Sequence, residues 1–389
     1  VFKKVAFAGC AISLCLLVLE LAMIVAEPYM SVGLYQYDPD LGFSVRPYSQ
    51  GTNRFGFNDR DYGIDKEEGV YRILVIGDSF NWAGGREENY TALLEDAMEA
   101  HFGSHRVDVI NAGYPMTHTG EQLAILQKFG LQYSPDLVVV GFFAGNDFID
   151  ADPNRKRIVI NDTYYDIDRR YELRAMGYPI VFKSRLWHFI KQRLVVWRSI
   201  EKGHAQDSPV AQGGATGSDT GTFEEKVFLE IEKYRLDFCH LPSYHAGKYA
   251  ANIDYILETF SQMKLRLDNV GAGLVVAIFP DEFQVNENLL SQLFRTYGLQ
   301  RDQYETELAQ RLLREHLDSC NITYIDFLDA FRVKGEQEPL YLKRDTHWNR
   351  SGNMLAADIL FQFLIPRLED YFFNSTMVAP PPPSPGGAG

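Results

Sequence analysis

Three polar side chains in the sequence are of the types that nucleophilic attack on a carbonyl requires. Ser79 comes shortly after an apolar run at residues 72–76, so its hydroxyl could face a cleft at the edge of a sheet. His347 could accept the serine proton, and Asp345, two positions earlier, could orient the imidazole. Each also has an ordinary alternative, because Ser79 and its neighbour Asp78 could cap a helix and His347 could be a surface histidine.

Two further positions could supply hydrogen-bond donors for the oxyanion that forms in acyl transfer. Gly113 could offer its backbone N–H to a cleft, and Asn146 could offer its side-chain amide. Their alternatives are a turn glycine and an Asx turn. A nucleophile, a base, an orienting carboxylate and two oxyanion donors together form the set that acyl transfer needs. The combination therefore favours an enzyme more strongly than any single residue does.

The elements that must position these residues alternate between apolar runs and stretches with helical spacing. Strands are predicted at residues 72–76, 107–110, 136–143, 273–279 and 322–327, and helices at 89–102, 121–133, 250–267, 303–317 and 351–368. This alternation predicts an α/β fold, a flavodoxin-like three-layer α/β/α domain with a five-stranded parallel sheet. Ligands bind beyond the carboxyl ends of such strands, and each candidate residue follows a predicted strand.

Four short blocks of the sequence, in order, resemble those of the SGNH (GDSL) hydrolases. They are Gly77-Asp78-Ser79, Gly113, Gly145-Asn146-Asp147 and Asp345-Thr346-His347, and the resemblance covers roughly residues 71–368. Many members place the aspartate three residues before the histidine. The closer spacing here is similar to the alginate acetyltransferase-like branch, and residues 38–42 and 345–349 also look like its membrane-anchored bacterial members. That branch resembles proteins that add or remove acyl groups on exported polysaccharides.

The resemblance implies a Ser-His-Asp mechanism that needs no metal and no cofactor. Ser79 would attack an ester carbonyl, His347 would pass its proton to the leaving alcohol, and Asp345 would stabilise the imidazolium. The expected substrate is an acyl ester, with acetyl favoured, of a carbohydrate or a lipid. Whether water or a sugar hydroxyl accepts the acyl group, making the protein an esterase or an O-acyltransferase, stays open.

The same resemblance implies an oxyanion hole and two supporting carboxyl groups. The backbone N–H groups of Ser79 and Gly113 and the side chain of Asn146 would bind the oxyanion. Asp78 and Asp147 are expected to fix the turns that carry Ser79 and Asn146 rather than to react.

The first residues of the chain predict a membrane anchor. Residues 5–26 are apolar apart from Glu20, and a spanning helix needs about 20 residues. Lys3 and Lys4 precede this run, so the positive-inside rule places the bulk of the chain outside the cytoplasm of a bacterial inner membrane. We favour a single-pass signal anchor over a cleaved signal peptide or a lipoprotein signal ending at Cys10. Glu20 is expected either near the outer interface or against a partner helix.

The chain divides into an anchor and one large interrupted domain. The expected parts are the anchor at 1–27, an extended lead-in at 28–70, the catalytic domain at 71–370 with an insertion at about 148–248, and a Pro/Gly-rich tail at 371–389. The insertion begins with a predicted hairpin at 157–160 and 163–165. Residues 184–202 form an amphipathic basic stretch, either docked on the core or lying on an anionic membrane or over a substrate groove. Residues 203–222 read as a flexible loop.

Composition excludes some functions and leaves one alternative. The formal net charge is −14, which argues against a nucleic-acid partner. No nucleotide-binding glycine motif follows the first strand. The cysteines lack zinc-site spacing, and whether Cys239 and Cys320 form a disulfide stays open. A different class of function is an accessory or structural subunit of a membrane complex that uses the fold as a scaffold and binds a membrane-protein partner.

Overall fold

The structure is a computed structural model of the chain, and it describes part of it. The described residues are 2–30, 34–36, 38, 41–151, 156–160, 163–167, 173–175, 178–180, 184, 186, 187, 190 and 222–378. The predicted loop at 203–222, apart from its last residue, most of the amphipathic stretch at 184–202 and the end of the tail lie outside this range. The chain forms two compact units, Val1–Asp61 with Asp152–Gly213 and Tyr62–Ala151 with Gly214–Gly389.

The strands and helices have the following bounds. In chain order the strands are β1 (Tyr35–Gln36), β2 (Ser44–Val45), β3 (Tyr71–Ile76), β4 (Val107–Asn111), β5 (Leu137–Phe143), β6 (Lys156–Ile160), β7 (Thr163–Ile167), β8 (Leu173–Ala175), β9 (Tyr178–Ile180), β10 (Gly273–Phe279) and β11 (Thr323–Asp326). The α-helices are Phe2–Met30, Gly85–Glu88, Tyr90–Phe102, Thr119–Lys128, Asp147–Asp150, Glu225–Leu236, Leu241–His245, Ala250–Val270, Glu282–Val285, Glu287–Tyr297, Leu308–Ser319, Leu328–Gly335 and Arg350–Val378.

The second unit is built on one parallel sheet, as the sequence predicts. Its strand order is β11-β10-β5-β3-β4, and all neighbouring pairs are parallel. Every residue of β3 and β5 is buried, because helices cover both faces of the sheet. The order reverses between β3 and β5, the position at which ligand sites form in doubly wound sheets. The predicted five-stranded flavodoxin-like fold is confirmed.

Several helix boundaries differ from the predicted ones. The helix predicted at 303–317 begins only at Leu308, and the one predicted at 121–133 ends at Lys128 and is followed by a 3₁₀ turn, Gly130–Tyr133. The last helix runs past its predicted end to Val378 because its aromatic residues still bury surface, with the rings of Tyr71 and Tyr371 4.8 Å apart. The sequence analysis assigned no helix to Glu225–Leu236, which the site uses below.

The first unit contains the N-terminal helix. Within it, Ala6–Ala26 is long and apolar enough to cross a membrane, by length and composition. Glu20 accepts hydrogen bonds from the Ser184 hydroxyl at 2.8 Å and from the backbone N–H of Leu186 at 3.1 Å, so its described contacts are with its own chain. The strands of the predicted hairpin pair antiparallel as β6 and β7, while its turn lies outside the described residues.

The two cysteines of the second unit are separate. Cys239 and Cys320 are both free thiols. The Cys239 thiol is buried, which raises its pKa, and it contacts the carbonyl oxygen of Thr306 at 3.7 Å. Cys320 lies instead beside Ser261 and His316.

Candidate active site

Ser79 begins a short 3₁₀ helix, Ser79–Asn81, just beyond the carboxyl end of β3. The turn is held by Asp78, whose carboxylate accepts the backbone N–H of Phe80 at 2.9 Å. Burial raises the pKa of Asp78 above its usual value, although the Phe80 N–H and the nearby charges of His347 and Arg235 oppose this. The turn therefore presents Ser79 at the edge of the sheet while its neighbour faces inward.

Ser79, His347 and Asp345 form a continuous hydrogen-bonded chain. The Oγ of Ser79 is 2.8 Å from Nε2 of His347, and Nδ1 of His347 is 2.7 Å from Oδ1 of Asp345. The same carboxylate oxygen accepts the backbone N–H of His347 at 3.0 Å. The structure thus brings Ser79 into contact with His347, which lies 268 positions later in the sequence.

The Asp345 carboxylate is kept ionised. Burial alone would raise its pKa, but the hydrogen bonds and charge of His347 and a hydrogen bond from Thr222 outweigh burial and lower the pKa to about 2. An ionised acceptor at Nδ1 requires the proton of neutral His347 to lie on that nitrogen. Nε2 is then free to accept the Ser79 hydroxyl proton, which is the arrangement of a general base.

Trp348 anchors the histidine in the core. It is fully buried, and its ring lies 4.8 Å from that of Phe80, which in turn lies 5.4 Å from the His347 imidazole. The loop is closed by a hydrogen bond from the N–H of Leu342 to the carbonyl oxygen of His347, at 2.9 Å. Phe80 follows Ser79, and Trp348 follows His347. The packing of Phe80 against Trp348 therefore helps to hold Ser79 and His347 at hydrogen-bonding distance.

Gly113 lies beside the serine turn but its N–H already has a partner. The N–H donates to Oδ1 of Asn111 at 3.1 Å, and that oxygen also accepts from Nδ2 of Asn81 at 2.9 Å. A Cβ on Gly113 would come within 2.3 Å of the Asn81 side chain, so only glycine fits. The sequence analysis singled out neither Asn81 nor Asn111; their positions just after β3 and at the end of β4 were the signal that could have shown them.

Asn146 follows β5 at the same edge of the sheet. Its Nδ2 donates to Oδ2 of Asp150 at 2.8 Å, and its Oδ1 is buried with no hydrogen-bond partner in the described part of the chain. Asp147 accepts the backbone N–H of Phe143 at 2.9 Å, which closes the turn. Burial and the nearby charge of Asp78 raise the pKa of Asp147 well above its usual value.

A buried ionic cluster that the sequence analysis missed lies against this turn. Nη1 of Arg235 is 3.2 Å from Oε1 of Glu232 and 3.3 Å from Oδ2 of Asp281. A Cβ on Gly145 would meet Oδ2 of Asp281 at 2.0 Å, so the carboxylate lies directly against the turn. The guanidinium carbon also lies 4.9 Å from the ring centre of Phe143. The buried arginine thus contacts two carboxyl groups and the end of β5.

Part of the chain matches a family model. Residues 242–371 match the family model described as an SGNH hydrolase-like domain of the acetyltransferase AlgX. Over these residues, about a third of the chain, the sequence is similar to that family, and the resemblance expected from the sequence is confirmed there. The matched range contains Asp345 and His347.

Comparisons with whole proteins give low similarity. No curated protein matches the chain. Among solved structures, an acetyl xylan esterase, AlAXEase, has 14% identity and a TM-score of 0.39, with 75% of this chain and 99% of that chain covered. A lipase/acylhydrolase from Enterococcus faecalis has 14% identity and a TM-score of 0.39, covering 77% and 97%. The acetylxylan esterase Axe2 from Geobacillus stearothermophilus has 14% identity and a TM-score of 0.38, covering 77% and 95%.

Proposed function

We propose that the protein is a membrane-anchored serine esterase or O-acyltransferase that acts on acetyl esters of a carbohydrate outside the cytoplasm. The main support for this proposal is the hydrogen-bonded chain from Asp345 through His347 to Ser79. The matched family is described as an acetyltransferase, which favours the acetyl group. The carbohydrate follows from the resemblance to proteins that modify exported polysaccharides.

The geometry supports a two-step acyl transfer. His347 accepts the Ser79 proton as Oγ attacks the acetyl carbonyl. The tetrahedral intermediate then expels the sugar oxygen, which receives that proton from His347 and leaves as an alcohol. This leaves acetyl-Ser79. Water or an acceptor hydroxyl then loses its proton to His347 and attacks the acetyl carbon, and Ser79 is released with that proton. The products are acetate or a new acetyl ester.

The oxyanion of each intermediate needs donors close to Ser79. In this proposal the backbone N–H of Ser79 and the Asn146 amide supply them, because Nδ2 carries two hydrogens and Asp150 takes one. The N–H of Gly113 contributes a third bond if the oxyanion shares it with Asn111. Asp78 and Asp147 act through the turns that they hold.

The N-terminal helix serves as the anchor in this proposal. Lys3 and Lys4 precede the apolar segment Ala6–Ala26, and the positive-inside rule then leaves the rest of the chain outside the cytoplasm of an inner membrane. Protease treatment of spheroplasts checks this: the catalytic domain is expected to be digested while the cells stay closed. A domain that is protected until the cells are lysed would contradict the orientation.

The catalytic part of the proposal is tested on the full-length chain purified in detergent. Wild-type protein is expected to react with a fluorophosphonate probe and to hydrolyse p-nitrophenyl acetate, and Ser79→Ala is expected to lose both. Ser291→Ala, which changes a half-buried serine on the helix Glu287–Tyr297, is the matched control and is expected to keep both. Equal labelling of wild type and Ser79→Ala would contradict the proposal that Ser79 is the nucleophile.

A further inference from the structure

The chain just before the helix Glu225–Leu236 is bonded to the loop that carries Asp345. The backbone N–H of Thr222 donates to the carbonyl oxygen of Lys343 at 3.2 Å, and that of Phe223 donates to the carbonyl oxygen of Arg344 at 3.1 Å. Two successive backbone bonds fix the position of one segment against the other. We call residues 222 and 223 the strap.

The strap also reaches the catalytic carboxylate. The Thr222 side chain donates a hydrogen bond to Asp345, in addition to the bonds that Asp345 accepts from His347. A carboxylate that accepts bonds from two residues has fewer orientations open to it than one bonded to a single residue. Thr222 itself is exposed, so its hydroxyl is not required to fill the core.

The residue before Asp345 has a backbone conformation that needs such support. Arg344 has a φ of 48°, in the left-handed region that residues with a side chain rarely adopt. Strained residues of this kind persist where neighbouring contacts hold them. The bond from Phe223 to the Arg344 carbonyl is such a contact, and it acts one residue from the carboxylate that orients His347.

The helix that follows the strap ends near the turn that carries Asn146. Arg235 and Glu232, in its last two turns, belong to the buried ionic cluster whose Asp281 lies against Gly145. One continuous stretch, 222–236, thus contacts the turn before Asn146 through Asp281 and contacts Asp345 directly.

We propose that Thr222 is a positioning residue for the Asp345–His347 pair, and that residues 222–236 brace the two sides of the active site against each other. This rests on the proposed function for its effect on rate, but not for its effect on geometry. Thr222 touches neither substrate nor Ser79 in this account; it acts by holding the carboxylate.

The test uses Thr222→Val in the full-length chain, with Thr222→Ser as the conservative variant. Thr222→Val is expected to lower kcat for p-nitrophenyl acetate by about tenfold, the effect of losing one hydrogen bond to a charged group, with KM changed less. Thr222→Ser should restore kcat.

A control and a second readout separate this proposal from the proposed function. Thr296→Val, at an exposed helical threonine, is expected to leave all values unchanged. The low-field Nδ1–H resonance of His347, assigned by its loss in His347→Gln, should shift and broaden in Thr222→Val and recover in Thr222→Ser. This readout needs no turnover, so it decides the proposal even if Ser79 proves inactive. An unchanged resonance in a folded Thr222→Val protein would overturn it.

Discussion

The two sides of the active site differ in how complete they are. On the side of the reacting groups, Ser79, His347 and Asp345 are bonded to one another at 2.7–2.8 Å. On the side of the expected oxyanion donors, Gly113 and Asn146 are bonded to their own neighbours, Asn111 and Asp150. The hydrogen-bonded chain from Asp345 to Ser79 is therefore already formed, while Gly113 and Asn146 already bind other acceptors.

This difference shows which donor can bind an oxyanion and still keep its present hydrogen bond. A backbone N–H has one hydrogen, so an oxyanion at Gly113 must share it with Asn111. An amide Nδ2 has two, so Asn146 can keep its bond to Asp150 and still bind an oxyanion. We therefore expect Asn146 to contribute more to transition-state binding than Gly113 does.

Among the residues other than Ser79 and His347, removing the orienting carboxylate should have the largest effect. In Asp345→Asn the uncharged amide no longer fixes the proton on Nδ1 of His347, so Nε2 loses its role as base. We expect kcat to fall by about 10⁴-fold with the fold intact. Steady-state kinetics measure this, and circular dichroism checks the fold. A loss smaller than that of Asn146→Ala would reverse the ranking of the two sides.

Removing the amide of Asn146 should have an intermediate effect. Asn146→Ala is expected to lower kcat by about 10²–10³-fold while KM changes little, because the bond forms mainly to the charge of the transition state. Asn269→Ala, an exposed position on the helix Ala250–Val270, is the matched control and should keep full activity. An unchanged kcat in Asn146→Ala would remove Asn146 from the oxyanion hole.

The smallest expected effect is a pH-dependent change in the free energy of unfolding, and it comes from Glu282, whose pKa the charge of Asp345 helps to raise. Burial raises the pKa of Glu282 to about 7 from a usual value of 4.5; a bond from Asn286 opposes this, and the charges of Asp281 and Asp345 add to it. The folded state thus favours protonated Glu282, and this stability is full below pH 4.5 and is lost as the pH rises through 7.

Glu282→Gln removes that dependence. Relative to wild type, the variant should gain up to about 3 kcal/mol in the free energy of unfolding at pH 8 and less at pH 5. Urea denaturation at the two pH values measures the difference. Glu87→Gln, at an exposed glutamate, is expected to show no such pH-dependent gain. An equal gain at both pH values would mean that ionisation of Glu282 is not its cause.

The proximity of Ser79, His347 and Asp345 could be predicted from the sequence for a physical reason. Each predicted strand is a continuous apolar run, as in β5, and the carboxyl ends of parallel strands share one edge of the sheet. Local order along the chain thus implied that Ser79 and the loop of His347 would meet. The helix at Leu308–Ser319 was placed too early because apolar spacing alone does not fix where a helix begins.

Two sets of contacts could not be predicted in the same way: those of the expected oxyanion donors and those of residues 222–236. The bonds from Gly113 to Asn111 and from Thr222 to Asp345 depend on side-chain directions within a turn or on contacts between distant segments. In the sequence, Arg235 cannot be told from any other charged residue, because only the tertiary fold encloses it with Glu232 and Asp281.

The most direct test of the central claim is to trap the acyl-enzyme. Full-length protein is mixed with p-nitrophenyl acetate, quenched in acid within the burst, digested and analysed by mass spectrometry. We predict one added acetyl group on the peptide that contains Ser79, and no such adduct in Ser79→Ala. An acetyl group that accumulates on another residue at the rate of p-nitrophenol release, with Ser79 unmodified, would contradict the account.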